Sequence, residues 1–135
     1  MLKPGDTFLI PKSSKDIEHL WIVLTPERED GTALCVNVTS WKFDRDETVI
    51  LQPGDHPFIT KKSVVHYEDA QFMPLARVEQ LLAMRSTKIV CEQKHCCTYK
   101  LIERLREGLL KSKRTAKGIK EYCRSLWEPE EKDPF

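Results

Sequence analysis

The stretch from Thr48 to Ala70, TVILQPGDHPFITKKSVVHYEDA, decides the fold that this sequence predicts. An apolar run over residues 49–51 ends at a Pro-Gly-Asp turn, and a second alternating run begins at Ser63. Two strands joined by a loop are the plain interpretation of this pattern. Loops held by strand ends are common places for binding and catalysis. This loop carries His56, Thr60, Lys61 and Lys62, polar residues most of which can donate protons.

Three further β-prone runs precede this pair and are separated by turn residues. They are TFLI at 7–10, which Pro11 ends, HLWIVLT at 19–25 and ALCVNVTS at 33–40. Short strands with turn signals every 8 to 12 residues or so are typical of a small barrel or sandwich. We therefore predict a strongly bent antiparallel sheet of about five strands over residues 4–73, with the helices packed outside it.

The hydrophobic period changes after Pro74 from that of a strand to that of a helix. Proline is acceptable at a helix start, and the first amphipathic helix is predicted to end near Ser86. Residues 87–91 are a candidate extra strand. Two further amphipathic helices are predicted, with Thr98 and Thr115 as their N-caps.

Charge divides the chain close to the place where the period changes. Residues 1–84 carry 9 Lys/Arg against 13 Asp/Glu, residues 85–127 carry 12 against 4, and the last eight residues have a net charge of −3. A basic helical segment suggests a surface for phosphates or for an acidic partner, with a solvated lysine-rich helix face as the alternative. The predicted class is α+β, with a β-rich part at 1–85 and a basic helical tail at 86–135.

Composition favours a cytoplasmic protein. The chain has no apolar run long enough to cross a membrane, and its first residues, MLKPGDTFLIPK, lack the apolar stretch of a signal peptide. Five cysteines, an odd number, favour reduced thiols over a disulfide framework. We therefore expect a cytoplasmic protein that does not bind a membrane.

Potential zinc ligands cluster in the tail, at Cys91, His95, Cys96 and Cys97. Adjacent cysteines cannot easily both point at one ion, and no second Cys-x-x-Cys pair completes the set unless Cys123 joins it. Thiols buried at a helix start are the alternative. We predict no metal and no other cofactor. Motifs for nucleotide hydrolysis, acyl transfer and zinc proteolysis are absent from the sequence as well.

The order of the strand motifs resembles the PemK/MazF toxin family of small SH3-like barrels. The motifs are PGDTFLIP, HLWIVLTP, ALCVNVTS and SVVHYEDA, and the resemblance covers roughly residues 4–85, about 60% of the chain. PGDHPFI also looks like a signature of a divergent branch of PemK-like proteins. The resemblance implies an SH3-like β-barrel followed by a helical C-terminal segment.

For function, the resemblance implies a metal-independent endoribonuclease that cleaves single-stranded RNA. Members of the family are commonly dimeric and commonly held inactive by an antitoxin, which implies a homodimer and an antitoxin partner. The family's hydroxyl pair at the end of the third strand falls on Thr39 and Ser40. Its catalytic arginine falls near His19, where this chain departs from the family and has Glu18-His19.

Cleavage of RNA through its own 2′-hydroxyl needs a base, an acid and donors for the charge that forms on phosphorus. Histidine suits either proton role because its unperturbed pKa lies near neutral pH. The candidates are His19 and His56 for proton transfer, Lys61 and Lys62 for phosphate binding, and Thr39 and Ser40 for hydrogen bonding. The alternative for His56 is a structural bond to the backbone of its own turn.

Aromatic residues near these candidates suit stacking on unpaired bases. Trp41 follows the hydroxyl pair, and Tyr67 alternates with His66 along the second strand of the opening stretch. A partly buried loop tryptophan is the alternative for Trp41. Trp21 lies inside an apolar strand and is predicted to belong to the core.

Two hypotheses from different classes remain open at this stage. The first is a toxin-like endoribonuclease, and the second is a catalytically inert barrel that binds nucleic acid or a protein partner, with the helical tail as its contact arm. The missing family arginine favours the second hypothesis. The histidine-rich loops and the intact pair of Thr39 and Ser40 favour the first.

Overall fold

In the residues that the computed structural model describes, 2–11, 18–84, 88–89 and 97–128, β-prone and amphipathic runs form seven strands and three helices. The strands are β1 (Thr7–Pro11), β2 (Glu18–Val23), β3 (Thr32–Ser40), β4 (Ile50–Leu51), β5 (Ser63–Val65), β6 (Gln71–Pro74) and β7 (Lys88–Ile89). The helices are α1 (Leu75–Ala83), α2 (Tyr99–Lys111) and α3 (Lys117–Trp127), and a short 3-10 helix spans Tyr67–Asp69. The predicted α+β class is confirmed.

The strands form one antiparallel sheet in the order β4-β5-β3-β2-β1-β7. The long strand β3 pairs with β2 along one edge, and with β6 and then β5 along the other. Within the described ranges, the end strands β4 and β7 do not pair with each other, so the sheet is not closed into a barrel. The predicted antiparallel sheet is confirmed. For residues 4–73 about five strands were predicted, and this part of the chain forms six, β1 to β6.

The two faces of the sheet carry separate apolar clusters, because side chains alternate along each strand. On β2, Leu20 belongs to one cluster and Trp21 to the other. Helix α1 adds Val78 to the Trp21 cluster, whereas α2 adds Leu105 to the Leu20 cluster. Trp21 is 6% exposed, which confirms its predicted place in the core. The helices after residue 85 therefore share a core with the sheet.

Tyr67 joins the sheet to helix α2. Its ring is fully buried, and its hydroxyl donates to the carbonyl of Leu105 at 2.8 Å. Strand β5 ends at Val65, and Tyr67 opens the 3-10 helix that follows. The prediction that His66 and Tyr67 alternate along this strand is therefore wrong, because both residues lie beyond the end of β5.

Threonine caps were predicted for both helices of the tail, and one of them is present. The Thr98 hydroxyl accepts a hydrogen bond from the backbone N–H of Leu101 at 3.1 Å, which confirms the N-cap of α2. For α3 the prediction is wrong, because Ala116 is the N-cap and the Thr115 hydroxyl donates to the Leu109 carbonyl at 2.8 Å. Carbonyls in the last turn of a helix lack intrahelical partners, which accounts for this bond.

Two predicted boundaries fall at the margin of the described ranges. Helix α1 ends at Ala83, and its predicted end near Ser86 lies outside those ranges. The candidate strand at 87–91 is present as β7, which pairs with β1, while its remaining residues lie outside. Of the three described helices, none is both long and apolar enough to cross a bilayer.

The loop between β3 and β4, residues 41–49, is fastened to the end of α2. Asp46 is buried and accepts hydrogen bonds from the Ser112 hydroxyl and, at 2.9 Å, from the backbone N–H of Thr48. Burial alone raises the pKa of Asp46, but the hydrogen bonds from Ser112 and Thr48 outweigh it and lower this pKa. Arg114 also donates from Nη2 to the Asp44 carbonyl at 2.8 Å. The loop is therefore held in place against the end of α2.

Candidate active site

A cleft of about 390 Å³ opens at the end of β3. One wall comes from the adjoining ends of β2 and β3. The other comes from residues 57–61, in the loop between β4 and β5, and from Ser63 at the start of β5. Its polar lining consists of His19, Thr39, Ser40, Thr60, Lys61 and Ser63. Four of the predicted site residues, His19, Thr39, Ser40 and Lys61, are thus brought together.

The strand register explains why His19 and Thr39 meet. Strands β2 and β3 are antiparallel with Leu20 opposite Val38, so one further step brings His19 and Thr39 to the same end of the sheet. Leu20 and Val38 both point into the cluster under α2. Because side chains alternate, His19 and Thr39 lie together on the other face. Both are partly exposed.

An arginine that the sequence did not single out reaches this wall. Arg45 donates from Nη1 to the Thr39 hydroxyl and, at 2.7 Å, to the Ser40 carbonyl. Its side chain is half-buried, which keeps a cation beside the hydroxyl pair. The family resemblance places an arginine near His19, whereas here one comes from the loop that Asp46 fastens.

Compared with known proteins, the chain matches no family model, no curated protein and no solved structure. Its function is therefore inferred from the chemistry of the cleft. Besides the hydroxyls of Thr60 and Ser63, that chemistry comprises an imidazole, a pair of hydroxyls at the end of β3 and two cations. The imidazole belongs to His19, the hydroxyls to Thr39 and Ser40, and the cations to Lys61 and Arg45.

Exposed aromatic side chains lie in and next to the cleft. Phe58 lines it and is 39% exposed. Trp41 is 37% exposed, its indole N–H donates to Glu47 Oε1 at 2.7 Å, and the Lys62 ammonium lies 4.3 Å from its ring centroid. Aromatic faces beside cations are typical of proteins that bind single strands. Phe58 is a candidate that the sequence analysis missed.

His56 is not among the described residues that line the cleft. It is 2% exposed, and its Nδ1 accepts a hydrogen bond from the backbone N–H of Phe58 at 3.0 Å. Burial lowers the pKa of His56, because the protonated ring would lose solvation. This geometry matches the structural alternative, in which His56 holds the loop that carries Phe58 and Lys61.

The buried His56 predicts a loss of stability in acid. Its pKa in the folded protein lies below that in the unfolded chain, so its stabilising effect is present above the ordinary histidine pKa of about 6.5 and is lost as the pH falls. In His56→Asn the amide oxygen can replace Nδ1 as acceptor. We expect this variant to reduce the slope of the free energy of unfolding against pH by up to about 1.4 kcal/mol per pH unit. Urea unfolding at pH 7.5 and 5.5 measures the difference. Equal pH slopes for the two proteins would contradict the assignment.

Tyr67 offers no surface to RNA. Its side chain is 0% exposed, and burial raises the pKa of its hydroxyl, which is bonded to α2. A ring inside the core cannot stack on a base, so the prediction that Tyr67 contacts RNA does not hold for this structure. Its sequence position next to a basic loop gave no sign of the helix that covers it.

Most of the potential zinc ligands, Cys91, His95 and Cys96, lie outside the described residues. Cys97 is half-buried and Cys123 is buried, and burial raises the pKa of both thiols to about 12. Neither is therefore a thiolate near neutral pH. Over the described ranges, no group of three or more ligating side chains is placed to hold a metal ion. The absence of zinc stays a prediction.

Proposed function

We propose that this protein is a cytoplasmic, metal-independent endoribonuclease that cleaves single-stranded RNA through the RNA's own 2′-hydroxyl. The observation that carries the proposal is the convergence of His19, Thr39, Ser40 and Lys61 in one cleft, with Arg45 bonded to its wall. These residues come from three separate stretches of the sequence. A purely structural role does not require an imidazole, two hydroxyls and two cations to meet at a half-open surface.

Each group has a role in this chemistry. His19 removes the proton of the 2′-hydroxyl, and the resulting oxygen attacks the adjacent phosphorus. Arg45 and Lys61 offset the charge that develops on the phosphoryl oxygens, while Thr39 and Ser40 donate hydrogen bonds to them. Lys61 also protonates the departing 5′ oxygen, which leaves a 2′,3′-cyclic phosphate.

Trp41, Phe58 and Lys62 hold the neighbouring nucleotides by stacking and charge.

Arg45 takes the part that the resemblance gives to an arginine before the second strand. It follows the hydroxyl pair in the sequence, six residues after Thr39, and reaches the pair from the loop after β3. Arginine keeps its charge at all relevant pH values and bonds two phosphate oxygens at once, so its route along the chain matters less than its final position. The chain has Glu18-His19 where the family has its arginine, but Arg45 still gives the cleft a permanent cation.

The strand pairing is compatible with an SH3-like architecture, which stays part of the proposal. A long central strand that pairs with one neighbour on one edge and with two short consecutive strands on the other fits a small SH3-like architecture. With that architecture, the proposal extends to an antitoxin partner and to a homodimer, as in PemK/MazF toxins. The described residues that line the cleft include no carboxylate, which is the ligand type that Mg²⁺ requires.

Cleavage of a mixed-sequence, single-stranded RNA in the presence of EDTA tests the proposal. We expect cleavage to persist in EDTA and to leave 2′,3′-cyclic or 3′-phosphate ends, because the attacking group is the substrate's own hydroxyl. The same RNA with 2′-O-methyl groups throughout should remain intact. Binding without cleavage of any RNA would instead support the inert nucleic-acid-binding barrel, which the departure from the family at His19 favours.

A further inference from the structure

The turn between α2 and α3 is a concentrated patch of exposed positive charge. Its residues 111–117, KSKRTAK, run from the last residue of α2 to the first of α3, and we call them the basic turn. All four cations are exposed, at Lys111, Lys113, Arg114 and Lys117. The sequence of the basic turn includes no carboxylate and only one apolar side chain, that of Ala116.

A short chain of contacts connects the basic turn to the cleft. Arg114 donates to the carbonyl of Asp44 at 2.8 Å, and the next residue, Arg45, donates to the hydroxyl of Thr39 inside the cleft. The buried bond between Ser112 and Asp46 fixes the turn against the same loop. The backbone of the basic turn is therefore anchored to the loop that carries Arg45 to the proposed active site.

Three carboxylates close to the basic turn are already engaged. Asp46 accepts from Ser112 and Thr48, and Glu68 lies between His66 and Arg114, 3.6 Å from the latter. Lys117 lies 4.0 Å from Glu121. In the part of the chain that the structure describes, Lys111 and Lys113 have no ion-pair partner. These two lysines remain available for a ligand.

We infer that the basic turn binds the phosphates of the RNA strand where it leaves the cleft, so that the enzyme prefers substrates several nucleotides longer than the cleaved site. The inference rests on the proposed function for the identity of the ligand. A cleft of about 390 Å³ holds only the nucleotides next to the scissile bond. Phosphates further along must lie outside it, and the fastened loop leads from the cleft to the basic turn.

Nucleic acid fits this surface better than an acidic protein does. Protein interfaces have an apolar core inside a polar rim, and the basic turn offers lysine and arginine without such a core. Phosphate binding needs only cations in a row and is salt-dependent, because bound counterions are released. The exposed aromatic residues Trp41 and Phe58 at the cleft extend the same type of surface.

The test uses the double variant Lys111→Gln, Lys113→Gln and a fluorescent 2′-O-methyl oligouridylate, which resists cleavage. For an oligomer of about twelve nucleotides, each lost phosphate contact lowers the slope of log affinity against log salt by roughly 0.7, so we expect a decrease of about 1.4. Near 0.15 M salt this corresponds to roughly ten-fold weaker binding. An oligomer of about three nucleotides should bind both proteins equally.

The matched control is Lys3→Gln, Lys100→Gln, which removes the same charge at the other end of α2. Gly5, two residues after Lys3, lies close to that end of α2. A Cβ built on Gly5 would be 4.0 Å from the side chain of Ile102. We expect this control to change the slope by much less. Equal slopes for the wild type and the basic-turn variant would overturn the inference. So would an equal loss for the short oligomer, or competition by poly-glutamate at lower concentration than by RNA.

The resistant oligomer separates the inference from the proposed function. If wild-type protein cleaves no RNA but the basic-turn variant alone loses affinity for the long oligomer, the phosphate surface stands and the nuclease proposal fails. If wild-type protein cleaves RNA and the variant binds and cleaves the long substrate as well as wild type does, the nuclease stands and the phosphate surface is rejected.

Discussion

His19→Ala is expected to slow RNA cleavage by about 10²- to 10⁴-fold, the usual contribution of a positioned general base or acid. His19 is the histidine that lines the cleft with the hydroxyl pair, and it lies on the same sheet face as Thr39. Because it is partly exposed at a strand end, its removal should leave the fold intact. Initial rates on a defined single-stranded RNA measure the effect, and circular dichroism verifies the fold.

His66→Ala is the matched control for this loss. His66 pairs with Glu68 at 2.5 Å and with Asp69 at 3.1 Å, and it is not among the described residues that line the cleft. Its replacement should leave cleavage unchanged within a factor of a few. Equal activity of wild type and His19→Ala would remove His19 from the mechanism. An equal loss in both variants would show that the effect comes from stability.

Growth of a bacterial host gives an independent measurement of the same variant. Expression of the wild type should slow growth, because a nuclease of this class degrades cellular RNA, and His19→Ala should relieve the inhibition. His56→Asn is expected to act differently, through the loop that it holds rather than through proton transfer. A large loss of cleavage in His56→Asn at unchanged stability would return His56 to the candidate catalytic residues.

Local patterns in the sequence were sufficient to predict the sheet, the helices and part of the site. The alternation of the apolar runs indicates which side chains share a face of the sheet. Together with the pairing of β2 and β3, it places His19 beside Thr39. The cap at Thr98 depends only on its own helix, so it could be predicted as well. Strands β2 and β3 follow each other in the chain and are joined by residues 24–31, which keeps their pairing local.

The roles of Tyr67 and Arg45 were missed because each depends on a contact between distant parts of the chain. Tyr67 leaves the surface because helix α2 covers it, 38 residues later. Arg45 joins the site because Ser112 fastens its loop, 66 residues away from Asp46. Thr115 bonds a carbonyl at the end of α2 in place of capping α3. Periodicity and capping rules do not describe such packing, so neither the role of Tyr67 nor that of Arg45 could be read from them.

Gly108 lies where α2 packs against Tyr67 and Val49, and Gly108→Ala is expected to lower the free energy of unfolding by about 2 kcal/mol. A Cβ at this position would lie 2.3 Å from both Tyr67 Oη and Val49 Cγ2, so α2 would have to move away from the sheet. Overpacking of this kind typically costs about 1–3 kcal/mol, occasionally more. The higher helix propensity of alanine returns roughly 1 kcal/mol of that cost. Two simultaneous clashes place the cost at the upper end.

The matched control is Gly118→Ala in α3, where an added Cβ meets nothing within 4 Å. That change should raise stability by a few tenths of a kcal/mol, up to about 1 kcal/mol, because it introduces a better helix former without a clash. Urea unfolding of the two variants compares the same substitution at a tight and at an open position. If both variants gain stability, α2 does not approach the sheet as closely as the bond between Tyr67 and Leu105 requires, and the shared core of sheet and tail would have to be rejected.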